Sequence, residues 1–312
     1  MQTRREFVKG LGMTAGLLWA TTQVGWALEE PSALHLATNQ YPWSVFYGRE
    51  GKSFEQNLDA GLGEVASAGL NGFEPMIGGP ENVDQFVPIL KKHKLEMRSL
   101  YVNSTLHLQA EADKSIAHIL AIAKKAKEYG TRIIVTNPNP IQWGGTASKD
   151  DAMLHTQRAA MDELGRQLSL LGMVLSYHNH DVELRNAARE FHHMMAGTNP
   201  KYVTLCLDAH WIYRGSGNSA IALFDVVELY GKRVSELHLR QSVRGVWSET
   251  FDVTEKGDID YVALAKALTQ KGVKPHLVLE QAVENGSPKT LNATEAHRQS
   301  AEYARKVFAK TA

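Results

Sequence analysis

Five short apolar runs in this 312-residue chain close on side chains that can titrate or hold a cation: Glu74, His178 with His180, Asp208 with His210, His238, and Glu280. The densest is Met173-Val-Leu-Ser-Tyr-His-Asn-His-Asp-Val-Glu-Leu184, where a mostly apolar start meets two histidines, an asparagine, an aspartate and a glutamate. Such a run reads as a buried strand leading into a reactive site. Asn179 and Asp181 also suit a turn, and a single buried histidine is ordinarily a satisfied core residue. Recurrence carries the weight here, because unpaired buried charges are costly and must meet partners or an ion.

His178, Asp208, His238 and Glu280 make a mixed nitrogen and oxygen donor set. It suits a divalent Mn, Co, Zn or Fe ion rather than Mg, which prefers oxygen throughout. Each member has a structural alternative: Asp208 can cap a turn, and His238 can be a hydrogen-bonded core histidine. Their equivalent positions favour a shared metal site, with His180 and His210 as partners that orient the ligands.

The surrounding pattern alternates short apolar and longer amphipathic segments. Strands are expected at 34–39, 72–76, 97–103, 132–137, 173–178, 203–208, 234–239 and 276–280. Helices are expected at 53–68 with Ser53 as N-cap, 80–92 with Pro80 at its start, 110–129 ending at Gly130, and 150–171 stopped by Gly172. Further helices follow at 187–195, 219–230, 259–271 and 293–310. Eight such units in about 280 residues match one α/β domain, a single (β/α)8 TIM barrel over residues 28–312. A doubly wound open sheet competes, since periodicity does not show whether a sheet closes, but no Gly-rich dinucleotide fingerprint follows the first strand. In a barrel, the five reactive strand ends share the C-terminal face and converge on one site.

Lys plus Arg and Asp plus Glu both number 34, which argues against a nucleic-acid binder that relies on broad basic surface. The one cysteine, Cys206, excludes an internal disulfide. Thr3-Arg4-Arg5-Glu6-Phe7-Val8-Lys9, followed by an apolar run from Gly10 to Gly25, resembles a twin-arginine export signal. Gly25 and Ala27 suit cleavage after Ala27, making residues 1–27 a signal peptide; a basic amphipathic helix is the alternative. The resemblance implies a periplasmic or otherwise exported protein that engages the twin-arginine machinery and keeps no stable membrane anchor after cleavage. Beyond the signal, Trp43, Trp143, Trp211 and Trp247 follow the first, fourth, sixth and seventh strands. They are expected to line the rim of the site, where flat aromatic walls suit a carbohydrate.

Ala68-Gly-Leu-Asn-Gly-Phe-Glu74, Tyr177-His-Asn-His180, Leu207-Asp208 with Trp211 and Gly215, His238-Leu239 and Leu279-Glu280 resemble the xylose-isomerase-like TIM barrels, the sugar phosphate isomerase/epimerase family also called the AP endonuclease 2 superfamily. The resemblance covers essentially the whole chain beyond residue 27. It implies a divalent metal held by His178, Asp208, His238 and Glu280, and it matches Glu74 to a glutamate at the end of strand two. Two departures stand out: His178 occupies a position where many relatives have Glu, and His238-Leu-Arg240-Gln241 replaces the usual His-Leu-Lys-Asp. Tyr-His-Asn-His with Glu280-Gln281 is also similar to inosose dehydratase and related keto-sugar lyases.

The implied function is a metal-dependent sugar isomerase or epimerase acting on a carbohydrate or keto-sugar through a metal-stabilised enediolate. Glu280 or Glu74 is the expected base, and His180 or Glu183 the acid. Trp43, His107, Trp143, His210, Trp211, Arg240 and Trp247 are the expected substrate contacts. The alternatives are a keto-sugar lyase or dehydratase, and a non-catalytic exported sugar-binding protein. An abasic-site endonuclease would require more ligands and a basic face. The oligomeric state stays open.

Overall fold

The computed structural model describes residues 34–309, so the expected signal peptide lies outside the described residues. β1 (Leu36–Asn39) runs directly into α1 (Gln40–Arg49), and α2 (Leu58–Ser67) leads to β2 (Gly72–Glu74). There follow α3 (Pro80–Lys92), β3 (Ser99–Tyr101), α4 (Gln109–Lys127), β4 (Ile133–Thr136), α5 (Asp151–Leu170) and β5 (Val174–His178). The second half comprises α6 (Arg185–Gly197), β6 (Val203–Asp208), α7 (Ala209–Gly215), α8 (Ala220–Tyr230) and β7 (Val234–Leu239). A hairpin of β8 (Ser242–Val243) and β9 (Val246–Trp247) precedes α9 (Tyr261–Gln270), β10 (His276–Leu279) and α10 (Ala293–Phe308).

Eight parallel strands lie in the order β2-β1-β10-β7-β6-β5-β4-β3. The ends of that series meet through parallel bridges between Gly72 and Glu96 and between Met76 and Tyr101. Backbone bonds from Phe73 N to Glu96 O at 2.9 Å and from Tyr101 N to Pro75 O at 2.9 Å hold this seam. The fold is thus the (β/α)8 barrel, with β10 as its eighth strand, and the open-sheet alternative falls away.

Side-chain spacing explains the outer layer. In α3, Val83, Phe86, Val87 and Leu90 face the barrel, while Lys91 and Lys92 complement the helix C-terminus. Asp150, Ser219, Asp260 and Asn292 accept backbone N–H bonds as N-caps of α5, α8, α9 and α10.

Three features depart from the expected pattern. The helix expected from Ser53 begins as α2 only at Leu58. The β8–β9 hairpin and α7 lie where loops were expected. The third departure, α1, changes the reading of Trp43: Trp43, Phe46 and Tyr47 follow helical i, i+3, i+4 spacing and are buried. Trp43 therefore belongs to the core, its Nε1 donating to Thr38 Oγ1 at 3.2 Å and its ring stacked 4.3 Å from His297. It is not a rim residue.

Two buried histidines outside the donor set of His178, Asp208, His238 and Glu280 bear on stability. Burial depresses His297 on α10 to about 4, partly opposed by its hydrogen bond to Ala293 O. Burial, aided by His35, depresses His276 at the start of β10 to about 3. The unfolded chain, with histidines near 6.5, binds more protons between these values, so stability is full above pH 6.5 and declines as pH falls toward 4. Thermal melts should show a falling midpoint from pH 7 to pH 4.5, and His297→Gln should flatten that slope. A midpoint unchanged over that range would contradict this account.

Candidate active site

The C-terminal ends of β5, β6, β7 and β10 bring His178, Asp208, His238 and Glu280 together. One donor atom from each lies within 4.8 Å of the others, and all four residues are buried. Asp208 serves two purposes at once. Its Oδ1 accepts the Trp211 N–H at 2.8 Å and caps α7, while Oδ2 has no hydrogen-bond partner and stands 3.9 Å from His178 Nε2. Asn179 fixes the Asp208 backbone, donating to its carbonyl and accepting from its N–H, both at 3.1 Å.

His238 is held from behind. Its Nε2 meets Glu236 Oε1 at 2.9 Å and lies 3.4 Å from Glu74 Oε1, whereas Nδ1 stands 2.6 Å from Glu280 Oε2. Burial, reinforced by Glu74, raises the Glu236 carboxyl to about 8, so this inner pair retains a proton at neutral pH. Ser99 Oγ donates to Glu74 at 2.7 Å from the other side. An Nε2–H directed at Glu236 leaves Nδ1 facing the donor cluster. Burial disfavours charge on His238, but Cys206, Glu280 and Glu74 outweigh it and raise its pKa above the ordinary value. These neighbours call for positive charge at a point where a cation would serve.

The other donors fit the same requirement. Burial, with His180 and His238 nearby, drives His178 far below the ordinary range, so its imidazole is neutral, as a ligand must be. Burial raises Asp208 to about 6. Burial also opposes ionisation of Glu280, yet Arg240 and His238 prevail and keep its carboxyl well below the usual range. Asn39 Nδ2 and Arg240 Nη2 both donate to that carboxylate, and Arg240 Nε donates to the Glu280 carbonyl at 3.0 Å. His178 Nε2 and Asp208 Oδ2 lack hydrogen-bond partners and stand 3.9 Å apart, and His238 Nδ1 meets Glu280 beside them. Open donor atoms next to two carboxylates fit a divalent cation.

Above this cluster opens a cavity of about 490 Å³, lined by Glu74, His178, His180, Trp143, Trp211 and Glu280 among the expected residues. Asn39, Gln40, Tyr41, Met76, Tyr101, Asn103 and Asp181 complete the lining. His180 stands between two aromatic rings, 5.2 Å from Trp143 and 5.7 Å from Trp211, and burial lowers it to about 4. A Cβ at Gly215 would approach Asp181 Cα to 2.9 Å, so glycine lets α7 close against the loop carrying His180 and Asp181.

Other expected contacts lie behind the wall. Arg240 is fully buried against Glu280, with Trp247 4.2 Å from its guanidinium carbon, so neither lines the cavity. His210 is bonded to Ser242 Oγ at 2.9 Å, and His107 is buried away from the lining. Glu183 Oε2 accepts the His180 N–H at 2.7 Å and its Oε1 accepts from Asn137 at 3.1 Å; this carboxyl braces His180 rather than facing the cavity. Glu236 is absent from the expected set, although strand alternation places residues 236 and 238 on one face.

The family model for the xylose isomerase-like TIM barrel matches residues 62–307. The chain belongs to this family. Within it, an inosose dehydratase of Clostridium perfringens is 25% identical over 251 residues, covering 72% of this chain and 82% of that protein. A sugar phosphate isomerase/epimerase from Parabacteroides distasonis superposes with a TM-score of 0.67 at 16% identity, covering 92% of this chain and 98% of that one. The D-allulose 3-epimerase of Methylomonas sp., solved in complex with D-allulose, gives 0.63 at 15% identity, covering 88% and 98%. These structural likenesses extend the shared barrel over nearly the whole described chain.

The Glu236–His238 contact makes a specific demand on this family member. Glu236→Leu should weaken Mn or Zn binding by about 10- to 100-fold, while Glu236→Gln, which keeps an acceptor oxygen, should bind nearly as the parent does. Competition against a calibrated chelator measures both. Equal affinity in all three proteins would remove Glu236 from any positioning role.

Proposed function

We propose that this protein is a divalent-metal-dependent enzyme of the sugar isomerase or epimerase kind, acting on the carbon beside a carbonyl. The observation that carries the reading is the convergence of His178, Asp208, His238 and Glu280 beneath an aromatic-walled cavity. A divalent ion held by those four residues supplies Lewis-acid polarisation of a carbonyl and its neighbouring hydroxyl. The chain's own groups do the proton work. Glu280, oriented by Asn39 and Arg240, faces the cavity as an ionised carboxylate and takes the proton from carbon. Glu74 lines the same floor and is the alternative base. His180, positioned through its backbone by Glu183, stands in the wall to return a proton. The rings of Trp143 and Trp211 flank His180 at 5.2 and 5.7 Å.

A keto-sugar lyase or dehydratase is the second reading. It is favoured by the inosose dehydratase relative and by His178, which replaces one carboxylate of a two-base epimerase. Both readings share the first proton removal and diverge at the second step, where a proton returns or a leaving group departs. In deuterated water, Mn-loaded protein should exchange the proton beside the carbonyl of at least one member of a panel of ketoses and 3-keto-glycosides. Glu280→Gln should reduce that exchange by about 100-fold or more. Deuterium without fragment release supports epimerisation or isomerisation, and release of a leaving group supports the lyase. Sugar binding with no exchange from any member would instead make this a binding protein.

We also propose that residues 1–27 direct twin-arginine export, on the strength of Arg4-Arg5 and the apolar run behind them. Replacing both arginines with lysine in the full precursor should retain the protein in the cytoplasm. Undiminished periplasmic yield would argue against that route.

A further inference from the structure

The cavity has two unlike parts. Its floor is polar and buried, with Asn39, Glu74, His178 and Glu280. Its mouth carries exposed apolar groups beside the polar Asn103 and Asp181: Tyr41 is 42%, Met76 47% and Trp143 53% accessible, although each lines the site. Large apolar groups left open around a reactive floor mark a surface that a ligand covers. The whole space, about 490 Å³, exceeds what one sugar ring needs. A hexose displaces roughly six waters at about 30 Å³ each, which fills well under half of it.

The His180 ring lies 4.7 Å from His178 on the floor and 5.2 Å from Trp143 at the mouth, the latter edge-on at 84°. The loop carrying Trp143 is braced. Trp143 sits in the loop between β4 and α5, and the start of α6 is tied to that loop. Arg185 Nη1 donates to Gly145 O at 2.7 Å, and Asn186 Nδ2 to Ser148 Oγ at 3.1 Å. Buried Lys149 in the same loop meets Glu190 at 2.6 Å and Gln157 at 2.7 Å. Asn186, Ala187 and Ala188 adopt left-handed backbone, with φ of 52°, 58° and 58°, a conformation unfavourable for residues other than glycine. These bonds tie the loop from Gly145 onward, two residues beyond Trp143, to the start of α6.

Charge narrows the ligand further. Three carboxylates, Glu74, Asp181 and Glu280, line the space, and among the described residues no Lys or Arg does. Arg240 gives its Nε and Nη2 to Glu280, and Tyr41, Trp211 and Trp247 lie around its guanidinium. A phosphate at the mouth would meet the Asp181 carboxylate without the cationic fork that ordinarily binds it.

We propose that the substrate is an uncharged glycoside of two rings, with the reacting ring over the buried floor and the second ring against Trp143 at the mouth. This rests on the reading of the floor as the reactive site but is tested by binding, independently of turnover. Titration calorimetry on Mn-loaded protein would compare glucose, glucose 6-phosphate, maltose, cellobiose, trehalose and sucrose. At least one disaccharide should bind about 10-fold or more tighter than glucose, and glucose 6-phosphate no tighter than glucose. Trp143→Ala, with circular dichroism and metal content matching the parent, should erase the disaccharide advantage and alter glucose binding by less than about threefold. Preference for glucose 6-phosphate, no disaccharide advantage, no detectable disaccharide binding, or equal loss for glucose and disaccharide in Trp143→Ala would each overturn the proposal. A failure of proton exchange with the disaccharide advantage intact would remove the enzymatic reading and leave the two-ring site standing.

Discussion

The interior of this barrel must accommodate buried donor atoms that no protein group satisfies. His178 Nε2 and Asp208 Oδ2 are two such atoms, 3.9 Å apart, with His238 Nδ1 and Glu280 gathered beside them. An unsatisfied buried polar group costs about 1–3 kcal/mol, so two are a sizeable share of the net stability of a typical domain, about 5–15 kcal/mol. A cation at their meeting point would turn that cost into coordination. Much of the surrounding structure keeps the donors ready for this role: Asn179 fixes Asp208, Glu236 and Glu74 back His238, and Asn39 and Arg240 hold Glu280.

That support explains why Arg240 stands behind the wall. A guanidinium can stack on Trp247 while donating to both the backbone and the side chain of residue 280, which a lysine ammonium cannot do in one plane. Arg240 therefore acts on Glu280 from behind the wall rather than lining the cavity. Trp247 and His210 join the same inner layer, the first against Arg240 and the second bonded to Ser242 of the hairpin.

The strand ends are legible because period-2 alternation and apolar runs carry the barrel, and the boundaries of α3 and the bounds of β6 and β7 read directly from Pro80 and the hydrophobic spacing. What escapes such reading are short helices packed directly after strands. Gln40–Arg49 contains Pro42 in its first turn, which a helix tolerates there, but the proline and a polar start resemble a loop. Trp43 then falls at the rim by expectation and in the core by structure. Glu236 escapes for another reason: a glutamate between apolar neighbours on a buried strand gives no local sign of its tie to the histidine two residues later. Arg240, His107 and Glu183 are recognisable as polar groups near strand ends, yet which side of the wall each occupies depends on tertiary contacts with Glu280, the Lys149 loop and Asn137.

The remaining distinction of the site is the imidazole of His178, the one β5 donor in a cluster that otherwise holds two carboxylates and a second histidine. With a divalent ion bound, Asp208, Glu280 and Glu74 would face its two charges and that of Arg240, which contacts Glu280 and stands 3.9 Å from Asp208 Oδ2. A glutamate at 178 would add a fourth negative charge to that balance. One unit charge at about 4 Å is worth on the order of 4 kcal/mol at an effective dielectric constant of 20, equivalent to several decades in acidity. A neutral imidazole thus spares the floor an excess of negative charge where the proposed removal of a proton beside a carbonyl would create another. Epimerisation and elimination would both pass through that charge. On the proposed reading, His178 therefore leaves the proton work to the carboxylates of Glu280 or Glu74, over a floor whose charges balance.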